Sequence, residues 1–586
     1  MNNNNKWTPL KTVLDDLRQF VEDEQTAQYA QLFEIWGKSI RHKLQSGESQ
    51  HIKQVRQSDK YYLTLILGEN ESRFREGDMI CLHAGEPLEK RHVAQATIEA
   101  EYDDEWLLRI SDIDDDTLQQ ISTGCYADPD TMDLKPFYDK ALDEIAESAI
   151  GREVLLPLLA GQLGAGFIFE DNYDEAADAA EEAGFNAQQI DAVGKGVAAK
   201  YLACIQGPPG TGKTRVISLI AKLLVEEGHR VLLTSHTHMA INNALNKIAE
   251  TGVPLVKVGA HGCLKGLDSD VPHVEYGNQW REQPDSGYVI GATPFATCSS
   301  RLENFQFDTV IFDEASQVTV PLALMAMRKA KRFVFVGDHK QLPPVVLSMP
   351  VLAEHSVFGR LISAQPEVSV MLTQTYRMCR ALSRWPGEHY YDGKLESVGT
   401  NAQRPFSLPQ VPQKYVAVLS EAHPLVFIRS PGSYTRQFNR AEAELVGDII
   451  EQAITAGLPP TEIGVVTPFR SHARVLKTEL ARRKIPQARA IVTDTVERMQ
   501  GQEREMIILS LCANDPQYLA AIAGFFFQAQ RLNVAITRPQ TKLIIIGPVL
   551  DKGFAWDCAD QHLLQQIADY RSLLAAAWQA PLPEYD

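Results

Sequence analysis

Cysteine pairs are missing from the sequence. The eight cysteines are scattered singly, and no CxxC motif occurs. Zinc knuckles and disulfide-stabilised folds both need cysteines at short, regular spacings, so the pattern argues against either class of protein. Scattered single cysteines are typical of a reducing compartment, and we therefore expect a cytoplasmic, intracellular protein.

Long apolar runs are also missing. The longest uncharged run, Val154 to Phe169, is shorter than a bilayer requires and is interrupted by Pro157 and three glycines. The N-terminal stretch MNNNNKW has no apolar core of a secretory signal. We expect a soluble protein that has no membrane partner.

An excess of positive charge, the usual mark of a nucleic-acid-binding protein, is absent as well. Lysine and arginine total 57 against 75 aspartates and glutamates, which gives a net charge of −18. This balance alone argues against a nucleic-acid partner. However, net charge describes the whole surface, whereas strand binding depends on one groove, and much of the acid is concentrated in stretches such as 170–182. The charge therefore does not exclude nucleic acid.

The chain is too long for one hydrophobic core. A length of 586 residues leads us to expect about three to five domains. Residues 1–48 carry apolar side chains at helical spacing, which predicts an N-terminal helical segment. Residues 49–135 contain short β-rich runs separated by turn signals, which is typical of a small β-barrel. Residues 136–184 are predicted to form a helical and acidic connector.

Two longer stretches alternate between strands and helices. The first, 185–350, includes LACIQ, RVLLTS and DTVIFD, and the second, 351–560, includes PLVFIR, IGVVTP and KLIIIG. Such alternation predicts, in each stretch, a parallel sheet covered by helices. A helical tail, 561–586, follows. The predicted fold class is α/β, with two tandem parallel-sheet domains, an N-terminal small β-barrel and helical segments.

The stretch GPPGTGKT carries the strongest chemical signal. It fits G-x-x-x-x-G-K-[ST], follows an apolar strand and opens a helix, which are the conditions for a P-loop. Its backbone N–H groups would cradle phosphates at a helix N-terminus. Lys213 would reach the β and γ phosphates and Thr214 would ligate Mg²⁺, so ATP and Mg²⁺ are the predicted cofactors. The predicted nucleotide-binding residues of this loop are Gly207, Pro208, Pro209, Gly210, Thr211, Gly212, Lys213 and Thr214.

A pair of acids follows the apolar run TVIF later in the same stretch. Asp313 would hold Mg²⁺ opposite Thr214, and Glu314 would polarise the attacking water. Paired acids at strand ends also occur in ordinary solvated turns, but beside a P-loop the catalytic interpretation is favoured.

The motifs of the two alternating stretches occur in the order of a known family. They resemble those of the superfamily 1 helicases, in the 5′-to-3′ branch that includes the nonsense-mediated-decay (Upf-like) helicases. The resemblance covers nearly the whole chain and implies two RecA-like domains, of which the first bears the P-loop and the second bears arginine fingers. It rests on FNAQQIDAV (185–193), TSHTHMAINNAL (234–245), VIGATPFAT (289–297), VGDHKQLPP (336–344), LTQTYRM (372–378), ERMQGQERE (497–505) and RLNVAITR (531–538).

The resemblance also implies roles for individual side chains. Gln189 stands where the family reads adenine, and Tyr376 offers a flat ring to the same base. Gln341 would sense the γ-phosphate. Arg377 and Arg538, both from the second domain, would act as arginine fingers that neutralise charge on the γ-phosphate.

Two further residues and two departures complete the pattern. In similar enzymes Glu503 and Gln500 would couple hydrolysis to the ribose or to the strand. The glutamine usual before the Tyr-Arg-Met of the fourth motif is Thr375 here, and His472 replaces a glutamine often found after the TPF segment. These departures leave the predicted ATP chemistry in place and concern its coupling to the strand.

The strand groove is predicted at the carboxyl ends of the strands in both sheets, where open α/β sheets bind ligands. Binding of a single strand requires polar groups that contact its backbone and a few rings that stack on its bases. Residues of these types serve as N-caps and turn residues about as often. The candidates are Thr234, Ser235, His236, Asn242 and Thr293 in the first domain, and Thr467, Pro468, Phe469 and Arg470 in the second.

The expected function is that of an ATP-dependent helicase or translocase on single-stranded nucleic acid, with a 5′-to-3′ direction implied by the resemblance alone. Two alternatives stay open: a nucleic-acid-stimulated ATPase that remodels nucleoprotein complexes without unwinding, and an ATP-gated binding switch with little turnover. The partner is single-stranded DNA or RNA, between which the sequence does not choose. A monomer suffices because both fingers belong to one chain, and no protein partner is indicated.

Overall fold

The structure contains an N-terminal helical arm, a closed β-barrel and two parallel-sheet domains. It is a computed structural model, and it describes residues 4–57, 59–68, 72–74, 77–85, 87–89, 93–102, 104–110, 113–164, 166–348, 355–485, 487–550 and 560–581. Within these ranges, none of the helices combines the length and the apolar character needed to cross a bilayer.

The chain begins with two helices and the barrel. Alternate side chains of the strands, such as Leu63, Leu65 and Leu108, point into the barrel and are buried, which is the period-two pattern that the sequence shows. Closure in the antiparallel order β1-β2-β5-β4-β3-β6 leaves no free edge. The elements are α1 (Asn4–Trp36), α2 (Ile40–Ser46), β1 (Gln50–Gln57), β2 (Tyr62–Leu67), β3 (Met79–His83), β4 (Ala94–Glu101), β5 (Glu105–Ile110), α3 (Asp115–Ser122) and β6 (Cys125–Pro129).

The helical arm and the connector pack against the first sheet domain. Leu14 and Leu17 of α1 share one buried cluster with Leu142 and Ile145 of the connector, and the cluster continues into the sheet at Phe312. The apolar stripe of the N-terminal helix is therefore used for packing. The connector consists of α4 (Lys135–Glu147), a π-helical turn (Gly151–Leu155), α5 (Leu156–Leu159) and α6 (Glu170–Glu182).

The first domain is an eight-stranded parallel sheet in the order β10-β9-β11-β8-β12-β13-β7-β14. Its central strands are buried on both faces, as expected for a parallel sheet covered by helices. The elements are α7 (Ala187–Ala198), β7 (Leu202–Gln206), α8 (Lys213–Glu226), β8 (Arg230–Thr234), α9 (His238–Ala249), β9 (Leu255–Val258), β10 (His273–Val274), β11 (Tyr288–Gly291), β12 (Thr309–Phe312), α10 (Val320–Met327), β13 (Arg332–Gly337), α11 (Val357–Ala364) and β14 (Ser369–Met371).

The second domain is a six-stranded parallel sheet in the order β19-β18-β20-β21-β17-β22, preceded by a two-stranded ribbon, β15-β16. The elements are β15 (Gln374–Thr375), α12 (Arg380–Tyr390), β16 (Glu396–Ser397), β17 (Leu425–Arg429), α13 (Arg440–Thr455), β18 (Ile463–Thr467), α14 (Arg470–Arg482), β19 (Val492–Thr495), β20 (Arg504–Ser510), α15 (Pro516–Ala521), α16 (Ala523–Phe526), α17 (Ala529–Ile536), β21 (Pro539–Gly547), α18 (Gln561–Ala576) and β22 (Trp578–Ala580).

The predicted fold class is confirmed, and the structure divides the domains differently at two points. The predicted boundary between residues 350 and 351 lies outside the described residues. Helix α11 and strand β14 follow it, yet β14 pairs with β7, so both elements belong to the first domain. The tail predicted as helical from 561 ends in β22, which pairs with β17 of the second sheet. Strands of three residues are too short for a sequence period to reveal them.

Candidate functional site

A cavity of about 650 Å³ lies between the two sheet domains. It brings together residues that the sequence predicted as nucleotide-binding or catalytic. From the first domain it is lined by Pro209, Gly210, Thr211, Gly212, Lys213, Thr214, Asp313, Glu314 and Gln341, and from the second by Tyr376, Arg377, Gln500, Glu503 and Arg538.

The P-loop connects the buried strand β7 to helix α8, which begins at Lys213. Gly210 and Gly212 have φ of 73° and 83°, a left-handed backbone that favours glycine. A Cβ on Gly207 would lie 2.2 Å from Cγ of Lys213, and the Lys213 Nζ donates to the Gly207 carbonyl at 2.7 Å. The loop therefore presents the backbone N–H groups at the start of α8 to the cavity, as an anion site requires.

Gln189 is placed behind the loop and does not line the cavity. Its Nε2 donates to the Thr211 carbonyl at 3.0 Å, and its Oε1 accepts the N–H of Asn186 at 3.1 Å. Asn186 in turn caps helix α7 by accepting the N–H of Gln189. The Gln189 amide thus stabilises the P-loop through a residue of the loop itself. Its contact with adenine stays a prediction.

The two acids stand at the end of strand β12. Asp313 is buried, and burial together with the nearby Glu314 raises its pKa to about 7, while Lys213 acts in the opposite direction. Glu314 has a φ of 50°, which is uncommon for a residue with a side chain. Its carboxylate accepts a hydrogen bond from Nε2 of Gln500 at 3.3 Å, across the domain interface.

The donor set beside Lys213 fits a magnesium ion. The Thr214 hydroxyl and the Asp313 carboxylate line the same cavity, and both supply the hard oxygen ligands that Mg²⁺ prefers. A divalent cation there would also offset the negative charge of the two carboxyl groups at the end of β12.

Arg377 reaches the cavity from the second domain and packs directly on the P-loop. A Cβ on Gly210 would lie 2.4 Å from Cβ of Arg377. The guanidinium is paired with Glu503 and donates to the Thr537 carbonyl at 3.2 Å. Burial acts to raise the pKa of Glu503, but the charges of Arg377 and Arg538 and the hydrogen bonds to its carboxylate outweigh burial and hold the pKa below its usual range.

Arg538 is the most deeply buried charge of the cavity. Its Nε donates to the Val534 carbonyl at 2.8 Å, and its Nη2 donates across the interface to Oε1 of Gln341 at 3.4 Å. Burial, with a smaller contribution from Arg377, lowers the pKa of Arg538 to about 9. The predicted phosphate sensor and the predicted finger are therefore in direct contact.

Four residues to which the sequence assigned no site role join the domains around this contact. The Tyr391 hydroxyl donates to Oδ2 of Asp338 at 2.7 Å and accepts from Nδ2 of Asn533 at 2.8 Å. Thr375, noted only as a departure from the family pattern, donates to the Pro209 carbonyl of the P-loop at 2.8 Å. Asp338 and Asn533 lie within quoted motifs, but no local spacing indicates that they meet.

Tyr376 lines the cavity and is 41% exposed. Its N–H donates to the Gly210 carbonyl at 2.9 Å, and its hydroxyl accepts from Nδ2 of Asn186 at 3.0 Å. The ring is thus held beside the P-loop with a free face, which suits stacking on a nucleobase.

The predicted groove residues are less uniform. Thr234, Ser235 and Thr467 are buried, and their hydroxyls have no hydrogen-bond partner in the part of the chain that the structure describes. His236 lines the cavity between the domains. The Asn242 amide is buried and donates to the carbonyls of Cys263 and Lys265.

The remaining groove candidates lie close to the starts of helical turns. Thr293 precedes a 3₁₀ turn, Pro294–Cys298, and Arg470 is the first residue of α14. Pro468 follows β18, and the ring of Phe469 stacks on that of Phe525 at 5.8 Å. A role in strand binding stays a prediction for all nine candidates.

Two family models described as AAA domain match this chain. One matches residues 184–287 and 285–349, and the other matches residues 353–549. Together they cover most of both sheet domains, including the P-loop, Arg377 and Arg538, and they end before α18 and β22.

Three curated relatives show how far the similarity extends. The DNA replication ATP-dependent helicase/nuclease DNA2 of Saccharomyces cerevisiae is 33% identical over 62% of this chain and 26% of its own length. The regulator of nonsense transcripts 1 homolog of Arabidopsis thaliana is 30% identical over 64% of this chain and 33% of its own length. The DNA polymerase alpha-associated DNA helicase A of Schizosaccharomyces pombe is 28% identical over 62% of this chain and 63% of its own length.

The chain thus spans about a quarter to two thirds of the length of these relatives. With the order of its motifs, its two parallel sheets and these similarities, the chain belongs to the superfamily 1 helicases of the Upf-like branch.

Proposed function

We propose that this chain is an ATP-driven motor on single-stranded nucleic acid that moves 5′ to 3′ and unwinds duplex ahead of it. The observation that carries the proposal is the composition of the cavity, because Lys213, Asp313 and Glu314 of one domain face Arg377 and Arg538 of the other. A nucleotide held there would contact both domains. Its hydrolysis would then change how the domains meet, which is what movement along a polymer requires.

The residues that line the cavity would have separate roles in ATP hydrolysis. Lys213 and the N–H groups at the start of α8 would hold the phosphates. Thr214 and Asp313 would hold Mg²⁺, which neutralises phosphate charge when bound. Glu314 would orient the attacking water and accept its proton. Arg377 and Arg538 would stabilise the charge that builds on the γ-phosphate.

Gln341 is the residue proposed to report the state of the phosphate. It stands between Asp338, to which its Nε2 donates at 2.8 Å, and Arg538, from which its Oε1 accepts. Loss of the γ-phosphate would alter the contacts of Gln341 with both Asp338 and Arg538. The change would pass to the second domain through Arg538, because that contact crosses the interface.

ATP hydrolysis with and without a single strand is the decisive test. We expect stimulation by oligothymidylate, oligouridylate or both, and the Lys213→Ala variant serves as the inactive control. Stimulated turnover separates a motor from an ATP-gated switch. Equal turnover with and without strand would contradict the proposal.

Duplexes with one single-stranded overhang test unwinding and direction. A 5′ overhang supports 5′-to-3′ loading, and we expect strand separation on that substrate alone. Stimulated ATP hydrolysis with no strand separation on either overhang would instead indicate remodelling of nucleoprotein complexes. Separation on the 3′ overhang alone would reverse the proposed direction.

A further inference from the structure

The side chain of Gln189, which the resemblance places at the adenine, binds the protein itself. We propose that Gln189 positions the P-loop and that the site therefore accepts nucleoside triphosphates of any base. The inference rests on the proposed function and names the substrate class of the same site. It departs from the adenine-reading role that the resemblance implies for this glutamine.

Both ends of the Gln189 amide are occupied. Its Nε2 donates to the Thr211 carbonyl of the P-loop at 3.0 Å, and its Oε1 accepts the N–H of Asn186 at 3.1 Å. Gln189 is 1% exposed and is not among the described residues that line the cavity. A Cβ on Gly212 would lie 2.8 Å from Nε2, so the amide packs tightly against the loop. A base could contact this amide only if the amide left its present partners.

The free-energy balance is against such a change. Thr211 is buried, and a buried carbonyl that loses its donor costs more free energy than one new hydrogen bond to a base returns. A site that reads a base rejects the wrong base because its own polar groups are then left unpaired. The Gln189 amide is paired when no base is present, so a wrong base would leave nothing unpaired here.

The base would instead be held by the ring of Tyr376, which lines the cavity. Three amide side chains orient this residue. Nδ2 of Asn186 donates to the hydroxyl at 3.0 Å, the hydroxyl donates to Oε1 of Gln374 at 3.2 Å, and Nδ2 of Asn401 donates to the Tyr376 carbonyl. Stacking on an aromatic ring is open to every base, because every base has a flat π face. The ring therefore contributes affinity and little selectivity.

The other contacts proposed for the nucleotide are common to all nucleoside triphosphates. They are made to the phosphates or to the metal ion, and neither changes with the base. The residues that would make them are Lys213, Thr214, Asp313, Arg377 and Arg538. Recognition in this cavity thus depends on the triphosphate and on stacking.

Hydrolysis of ATP, GTP, CTP and UTP by the full chain, with Mg²⁺ and saturating oligothymidylate, tests the inference. Phosphate release gives kcat and KM for each nucleotide. We expect kcat/KM for GTP to lie within about tenfold of that for ATP, since two purines stack similarly. UTP and CTP should also be hydrolysed. A preference for ATP over GTP above about tenfold, or no turnover of UTP and CTP, would overturn the inference.

Gln189→Ala tests the positioning role. Loss of the donor to the Thr211 carbonyl should raise KM for all four nucleotides by a common factor of roughly 5- to 100-fold. We expect kcat at saturating nucleotide to stay close to the wild-type value, because the groups that act on the γ-phosphate remain. A rise in KM confined to ATP would show that Gln189 reads adenine. An unchanged KM for every nucleotide would contradict its support of the loop.

Gln189→Glu is the second variant, and it serves if the alanine variant lowers the thermal midpoint. The carboxylate can still accept the N–H of Asn186 but cannot donate to Thr211. Adenine offers an amino donor where guanine offers a carbonyl, so this exchange in a base-reading residue would change the ratio of kcat/KM for ATP and GTP. We expect the ratio to equal that of the wild type, and a changed ratio would overturn the inference.

Gln365→Ala provides the matched control. Gln365 is 3% exposed, and its Nε2 donates to the Leu163 carbonyl at 3.0 Å, so the variant removes the same kind of buried hydrogen bond away from the described lining of the cavity. We expect its KM values to equal those of the wild type.

The results separate this inference from the proposed function. Strand-stimulated hydrolysis of ATP alone would overturn the inference and leave the motor in place. Comparable hydrolysis of all four nucleotides that does not respond to a strand would contradict the motor and support the inference. If no nucleotide is hydrolysed, both proposals fail.

Discussion

Replacement of Arg538 by alanine is the change that most directly tests the cavity between the domains. Its guanidinium is buried, reaches Gln341 across the interface and comes from the opposite domain to the P-loop. We expect the Arg538→Ala variant to bind ATP and to lose hydrolysis. Loss of binding is not expected, because Lys213 and the backbone of the P-loop remain.

The expected size of the loss in turnover follows from the low solvent exposure of Arg538. Burial lowers the pKa of Arg538 from 12.5 to about 9, which at about 1.4 kcal/mol per pKa unit corresponds to about 5 kcal/mol against the charged form. The group stays protonated at neutral pH. A charge so poorly solvated interacts strongly with developing charge on a phosphate, because little water screens it. Arginine fingers contribute about 10³- to 10⁵-fold to turnover, and we expect a loss in that range.

Two assays separate binding from chemistry. Fluorescence of a labelled ATP analogue measures the dissociation constant, and single-turnover release of phosphate measures hydrolysis. Arg538→Lys keeps the charge but not the planar fork, and should fall between wild type and alanine. Arg384→Ala is the control, since Arg384 is an exposed arginine of the same domain paired with Glu388 on one helix.

Hydrolysis by Arg538→Ala close to the wild-type rate would refute the reasoning. The nucleotide would then be cleaved by groups of the first domain alone. Loss of ATP binding together with hydrolysis would also contradict it, because Arg538 would be a ground-state ligand whose effect is not confined to the transition state.

The remaining predictions concern the P-loop and the buried core. Lys213→Ala is expected to abolish phosphate release while circular dichroism stays unchanged, since among the described residues the Lys213 Nζ donates only to the Gly207 carbonyl. Thr375→Val removes the donor to the Pro209 carbonyl and should weaken ATP binding by roughly twofold to tenfold, measured by calorimetry. Burial raises the pKa of Glu442 to about 7 from 4.5. The native state therefore favours the protonated form, and the free energy of unfolding falls as pH rises through that interval. Glu442→Gln should remove this fall in denaturant titrations at several pH values.

The P-loop and the strands around it could be predicted because their determinants are local. Eight consecutive residues specify the loop, and Gly207, Gly210 and Gly212 each occupy a position where a side chain would clash or strain the backbone. The buried strands are continuous apolar runs, which a parallel sheet covered on both faces requires. Such local patterns can be recognised in the sequence without knowledge of what packs against the loop or the strands.

The short elements and side-chain directions could not be predicted in this way. Strand β14 has three residues and is recognised only by its pairing with β7. Gln189 lies where the resemblance predicts an adenine contact, and the structure turns its amide toward Thr211. Tyr391 and Asp338 likewise meet only once the two domains are packed together.

By itself, the sequence determined the chemistry that this chain carries, namely a phosphate-binding loop, a pair of acids and two candidate fingers in a recognisable order. The tertiary structure alone decided that these groups share one cavity. Gln341 and Arg538 are 197 residues apart, and no local rule connects side chains across that distance. Their contact depends on how two independently buried cores pack against each other, which is a property of surfaces formed only after each sheet has folded.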